Sequence, residues 1–148
     1  MLLPDQAHVV RPGEGAVAEL GIARMRVLAA GETTGRTCTL AEFSGGPGAW
    51  TVPHRHLGME ESFYVLDGSF DVGVGDTEVH VEPGDYLLVP RDTRHVLAAG
   101  PDGGRCLVLM VPGGLEDMFF ELGGLSADAI RDPAARAAIS ARHDSVPA

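Results

Sequence analysis

Apolar residues along this chain come in short runs, six residues at the longest (CLVLMV), broken by glycine, proline and polar residues. Residues 36–43 (RTCTLAEF) are rich in β-formers, 44–49 (SGGPGA) read as a loop, and 50–56 (WTVPHRH) read as extended chain. A turn at 57–59 (LGM) leads into ESFYVLDG, a predicted strand ending at Gly68. SFDVGVG, TEVHVEPG, DYLLVP, HVLAAG and RCLVLMVP follow at short, nearly even spacing, so the pattern predicts a β-sandwich or barrel rather than βαβ units. Before residue 36 the apolar pieces HVV, AVAEL and MRVLAA are interrupted by Gly and Pro, which predicts edge strands and loops.

The period changes after Pro112. Leu115, Met118, Phe119 and Leu122 recur at i, i+3, i+4 and i+7, one stripe of a short helix expected to cover an open end or face of the barrel. Asp132 followed by Pro133 supplies an N-cap and a first-turn proline for a last helix over residues 133–142. The expected organisation is one domain in three parts: N-terminal edge strands and loops at 1–35, a barrel at 36–112, and a helical segment packed on it at 113–148. No internal repeat is visible at solenoid periods.

Composition narrows the function. At 148 residues the chain can bury roughly 70% of the surface that its unfolded form exposes, enough for one sizeable core. A net charge of -10 without a basic cluster repels phosphate backbones and anionic membranes, so neither nucleic acid nor membrane is an expected partner. All eleven basic residues are arginine, a bias expected of a GC-rich coding sequence. Without lysine the chain cannot form a Schiff base, anchor pyridoxal phosphate or supply a P-loop cation. Cys38 and Cys106 lack metal or disulfide spacing and read as small buried hydrophobes in a reducing cytoplasm. No export signal and no apolar run of about 18 residues is present, which makes a cytoplasmic location the expectation.

The chemistry concentrates in HRHLGMEE, residues 54–61. Residues two apart on an extended segment face one side, so His54 and His56 point inward together while Arg55 points out. Past the turn, Glu61, Phe63 and Val65 share one face, and Glu60, Ser62 and Tyr64 share the other. Phe63 and Val65 make the better core face, which places Glu61 inside. His95 follows a proline turn at the start of another strand. Three imidazoles and a carboxylate suit a borderline divalent metal, Zn, Fe, Mn, Ni, Co or Cu, with coordination positions left for water, O2 or substrate.

Other polar residues have plainer readings. His80 is expected on an exposed strand face, and His8 and His143 near the termini are assigned no role. Arg91 and Arg94 flank the turn before His95, where a solvated arginine is the commoner reading and capture of an anionic substrate at the barrel mouth the sharper one. Trp50, Phe63 and Met110 either line the pocket or belong to the core, and parity alone does not separate the two.

At these residues the sequence resembles the cupin superfamily. Gly48, His54, His56, Glu61 and Gly68 stand at the spacing of its first motif, and Gly84, Pro90 and His95 at that of its second. Fifteen residues separate the motifs, as in compact microbial members, and the flanking TTGR and VPGGLEDMFFELG are similar to small quercetinase-like cupins. Asp92 stands at the second motif's glycine place and Ala99 at its asparagine place. The resemblance implies an all-β double-stranded β-helix, a jelly-roll barrel with short C-terminal helices. It also implies His54, His56, Glu61 and His95 as metal ligands and a homodimer. For function it implies a metal-dependent enzyme on a small apolar or aromatic molecule, first a quercetinase-like dioxygenase, with Glu61 also accepting a proton if burial raises its pKa. A redox-neutral polyketide cyclase, isomerase or lyase is the alternative, and a noncatalytic ligand- or metal-binding cupin the third.

Overall fold

The computed structural model describes residues 7–148, so the first six positions of the predicted N-terminal strands and loops lie outside the described residues. Ten strands follow in chain order: β1 (Val17–Glu19), β2 (Ala23–Ala29), β3 (Thr39–Gly45), β4 (Gly48–Ala49), β5 (His54–Arg55), β6 (Glu60–Val74), β7 (Thr77–Val81), β8 (Tyr86–Val89), β9 (His95–Val111) and β10 (Val146–Pro147). Two helices, α1 (Glu116–Gly123) and α2 (Pro133–Ser140), lie between β9 and β10.

Every pairing is antiparallel, and β6 and β9 carry the architecture. Residues 104–110 of β9 pair with β3 on one edge and with the first half of β6 on the other, extending a layer β1-β2-β3-β9-β6-β8. Residues 95–99 of β9 pair with the second half of β6 and with β4 and β5, which builds a second layer β7-β6-β9-β5-β10. Two long strands thus pass from one layer to the other, turning corners at register shifts. The result is a jelly-roll barrel, the all-β fold that the strand pattern and motifs predict.

Two expectations are corrected here. ESFYVLDG and SFDVGVG are one strand, β6, and HVLAAG and RCLVLMVP are one strand, β9. Gly68 marks a corner rather than an end: its φ is +66°, and a Cβ there would lie 2.2 Å from the Gly103 carbonyl oxygen. Only glycine combines that backbone conformation with so close an approach. The second correction concerns β2, which lies between β1 and β3 and so is an interior strand, not an edge.

Strand alternation fills the barrel. Val65, Phe70, Val72, Met25, Val89, Cys106, Val108 and Met110 are almost wholly buried, each large apolar side chain contributing roughly 1.5–3 kcal/mol relative to exposure. Burial pushes the Cys106 thiol up to about 12, as expected of an inert core cysteine, whereas Cys38 is only half-buried.

Helix α1 buries Met118 and Leu122, and Phe119 meets Phe43 edge to face at 5.2 Å between ring centroids. Its start is fixed by buried Glu116, which accepts hydrogen bonds from Gly31 N (2.6 Å), Gly114 N (3.0 Å) and Thr39 Oγ1 (2.5 Å). Asp132 caps α2, its Oδ1 accepting from Ala134 N at 3.0 Å with Pro133 in the first turn. The predicted end at residue 142 is corrected to Ser140. There the chain tightens into three-residue turns, Arg142 N to Ile139 O and His143 N to Ser140 O. Among the described residues no helix is long and apolar enough to cross a membrane.

Candidate metal centre

The barrel brings His54, His56, Glu61 and His95 together, with one donor atom from each lying within 4.8 Å of all the others. The register explains how. His54 on β5 lies opposite His95 at the start of β9, and Glu61 enters from β6 in the other layer, so the cluster joins both layers. Glu61, His56 and His95 are 7%, 3% and 1% exposed, while Glu60 is half-buried and Arg55 exposed, the parity expected of extended chain.

Each imidazole is oriented by a backbone carbonyl. The Nδ1 atoms of His54, His56 and His95 lie 2.7, 2.5 and 2.9 Å from the oxygens of Val52, Asp144 and Thr93. A carbonyl only accepts, so Nδ1 carries the proton and Nε2 is left to face the interior. Both His56 Nε2 and His95 Nε2 stand 3.1 Å from Glu61 Oε2. Ring centroids of His54 and His95 are 4.2 Å apart, and those of His56 and His95 5.1 Å.

Electrostatics follow from that crowding. Burial pulls the His54 imidazole down to about 4, reinforced by the neighbouring His95 charge. Burial is the largest single influence on His56 and lowers it, but the hydrogen bond and charge of Glu61 together with the Asp144 carbonyl and carboxylate leave it raised. Burial pushes Glu61 upward, and the hydrogen bonds from His56 and His95 reverse this, holding its carboxyl well below the usual range. That direction corrects the expectation of a Glu61 made basic by an apolar barrel. The lowering depends on the two imidazoles donating to Glu61, so it belongs to the cluster with no cation between these groups.

The donor set fits a divalent metal. Three Nε2 lone pairs and one carboxylate converge, and without a cation they require extra protons on the imidazoles to hydrogen-bond Glu61. The carbonyl partners at Nδ1 are the outer support that ligating histidines ordinarily have.

Two unforeseen segments hold this geometry. The chain after α2 returns across the site: β10 pairs with β5, Asp144 accepts from Leu57 N (2.7 Å) and Gly58 N (2.9 Å), and its own carbonyl meets His56. No local pattern in HDSVPA announces this, because its partners lie nearly ninety positions earlier in the chain. Asp92 adopts φ +58°, taking the left-handed conformation of the glycine it replaces, and its N–H bonds His56 O at 2.7 Å.

A cavity of about 780 Å3 opens onto the cluster. Trp50 and Phe63 line it, with Phe43, Leu97 and Phe119. Met110 does not: it is fully enclosed in the core on β9. Arg91 and Arg94 stand exposed on the turn before His95, outside the cavity lining. The cavity's arginines are Arg131 and Arg136, from the C-terminal segment, which sequence reasoning missed. The available signal was a single charge in the alanine-rich PAARAAIS. His80 is exposed and pairs with Asp71 (2.7 Å) and Glu82 (3.3 Å), as a surface strand residue.

Comparison with known proteins agrees with this geometry. Residues 42–112 match the family model of the cupin domain, Cupin_2. The chain is 32% identical over 123 residues to quercetin 2,3-dioxygenase of Bacillus subtilis, covering 82% of this chain and 36% of that protein. It is 40% identical over 65 residues to the dimethylsulfoniopropionate lyase DddW of Ruegeria pomeroyi, covering 43% and 40%. This chain therefore spans well under half the length of either relative. Among solved structures, an RmlC-like cupin from Shewanella frigidimarina shares the fold with a TM-score of 0.64 at 18% identity, over 76% of this chain and 96% of that one.

Proposed function

This chain is a small cupin-superfamily protein, and from that premise we propose that it is a metal-dependent enzyme acting on a small apolar or aromatic molecule, with quercetinase-type dioxygenation as the leading reaction. The observation that carries the reading is the convergence of His54, His56, Glu61 and His95 on a cavity of about 780 Å3 with aromatic and aliphatic walls. That volume lies within the range of small-molecule sites.

The four side chains would hold the ion, which would supply Lewis acidity and, in a redox-active metal, electrons for chemistry with dioxygen. The chain does the rest. Carbonyls at Val52, Asp144 and Thr93 fix the imidazole orientations, so the site is assembled before substrate arrives. Trp50, Phe63 and Phe119 line the cavity, where they would exclude water and give a bound ring aromatic surface to pack against. As a ligand the Glu61 carboxylate would balance part of the cation's charge.

Similarity to a lyase supports a second reading, a redox-neutral elimination, isomerisation or cyclisation in which the same residues hold a metal that polarises a carbonyl. Turnover of a flavonol and polyketide panel with and without oxygen separates the two. Dioxygenation requires O2 consumption and loss of activity on zinc substitution. Product formed anaerobically by the zinc protein sinks the leading reading in favour of the second.

A further inference from the structure

Helix α2 carries one charged side chain, Arg136, among four alanines. It is half-buried and lines the cavity that opens onto the metal cluster. Its Nη1 donates to Ile130 O at 3.2 Å, and burial pulls the guanidinium below its ordinary value. Among the described residues Arg24, Arg26, Arg55, Arg105 and Arg142 each reach a carboxylate, and no such pair includes Arg136. Because no fully enclosed side-chain nitrogen lacks a partner there, the guanidinium edges that make no protein bond open to solvent-accessible space.

This is an unusual placement in a chain of net charge -10. The overall field repels anions, yet Arg136, partly desolvated and with donors that the protein leaves unused, is among the residues lining the cavity. A guanidinium there is poorly compensated until an oxyanion arrives, and its planar fork matches a carboxylate with two parallel hydrogen bonds. Arg131, also at the cavity, adds charge of the same sign. Beyond the metal cluster, Thr51, Ser140 and Ser145, the rest of the wall is mainly aromatic or aliphatic, including Phe43, Trp50, Phe63 and Phe119.

We propose that Arg136 is the anion-recognition residue of this cavity, and that its ligand is an aromatic acid whose ring lies against the aromatic wall while its carboxylate pairs with Arg136. The assignment rests on the reading above that this cavity holds the substrate. It adds the substrate's charge and the residue that selects it.

The test is calorimetric titration of zinc-loaded and chelated protein with benzoate, cinnamate and 2-naphthoate, each against its uncharged primary amide. At least one acid is expected to bind about tenfold or more tightly than its amide in both protein forms, as a charge-assisted pair requires. Arg136→Gln, which keeps a donor for Ile130 O, should abolish that preference while leaving amide affinity, zinc content and the melting temperature unchanged. Arg136→Lys should retain part of it. Equal binding of acids and amides, no binding of any acid at millimolar concentration, or a preference that survives Arg136→Gln would overturn the proposal. So would a preference lost on chelation, since the carboxylate would then be a metal ligand. A protein that takes up no metal yet keeps an Arg136-dependent preference would defeat the metal-enzyme reading and leave this one standing.

Discussion

Glu60 and Glu61 are chemically identical neighbours with opposite fates. Only Glu61 reaches His56 and His95, because consecutive residues on β6 face opposite sides. Glu61→Ala removes the anion from the cluster, and metal affinity is expected to fall by at least about 10- to 100-fold, the range seen even for outer supporting groups. Glu60→Ala should stay within about 0.5 kcal/mol of wild type and keep its metal. Metal titration of both variants checks the register; an emptied site in Glu60→Ala with a loaded one in Glu61→Ala would refute it. Acid should act through His56. Its raised pKa means that, without metal, the ring keeps a proton above the ordinary histidine value of 6.5, and binding a metal must displace it. Apparent affinity should therefore fall as pH drops through the raised value, by up to about tenfold per pH unit for one displaced proton. An affinity flat from about pH 5 to 8 would exclude this competition.

The bends and straps of the barrel hold these residues in place. Gly68 turns β6 from one layer to the other against the Gly103 backbone, so Gly68→Ala must move backbone and is expected to cost more than about 2 kcal/mol. Gly75→Ala is its control. That position also has positive φ (+58°) but nothing within 4 Å of the added Cβ, so only the conformational cost, about 1 kcal/mol, should appear in denaturant melts. Asp144 fastens the returning segment to the Leu57–Gly58 turn and aligns the carbonyl behind His56. Asp144→Ala is expected to cost about 1–2 kcal/mol and, by loosening His56, about tenfold in metal affinity. A destabilised variant with unchanged metal affinity would show that the strap supports the fold alone.

Across the molecule, the metal cluster joins the layers: His54 and His95 come from one and Glu61 from the other. An ion bound there cross-links β5, β6 and β9 and is absent from the unfolded chain. At a free metal concentration 100 times Kd it should stabilise the fold by about 2.7 kcal/mol, raising the melting temperature by about 5–10 °C. Calorimetric scans before and after chelation measure this, and identical midpoints would mean no ion binds the native barrel tightly. The C-terminal helices add a second closure. Phe119 of α1 packs on Phe43, and Glu121 of α1 meets both Arg142 and His143 (2.9 Å to the latter) beyond α2, so α1 and the chain that follows α2 are pinned together beside the cavity.

Much of this was legible in the chain because it depends on local repetition. Alternation placed Glu61 inward and Glu60 outward, the i, i+3, i+4, i+7 stripe located α1, and Asp132–Pro133 marked the start of α2. Motif spacing in addition singled out the four residues that the barrel brings together. What stayed hidden depends on contacts across long sequence separations. Glycine reads the same at a strand's end as at a corner, and only the approach of Gly103 makes Gly68 a corner. Met110 and Phe63 are both buried apolar strand residues, but cavity exposure depends on which elements close over them. Asp144 and Arg136 gain their roles from where the C-terminal segment lands, which is decided by packing against a barrel already formed. Sequence periodicity is a property of neighbours, whereas a cavity is defined by which distant surfaces fail to meet.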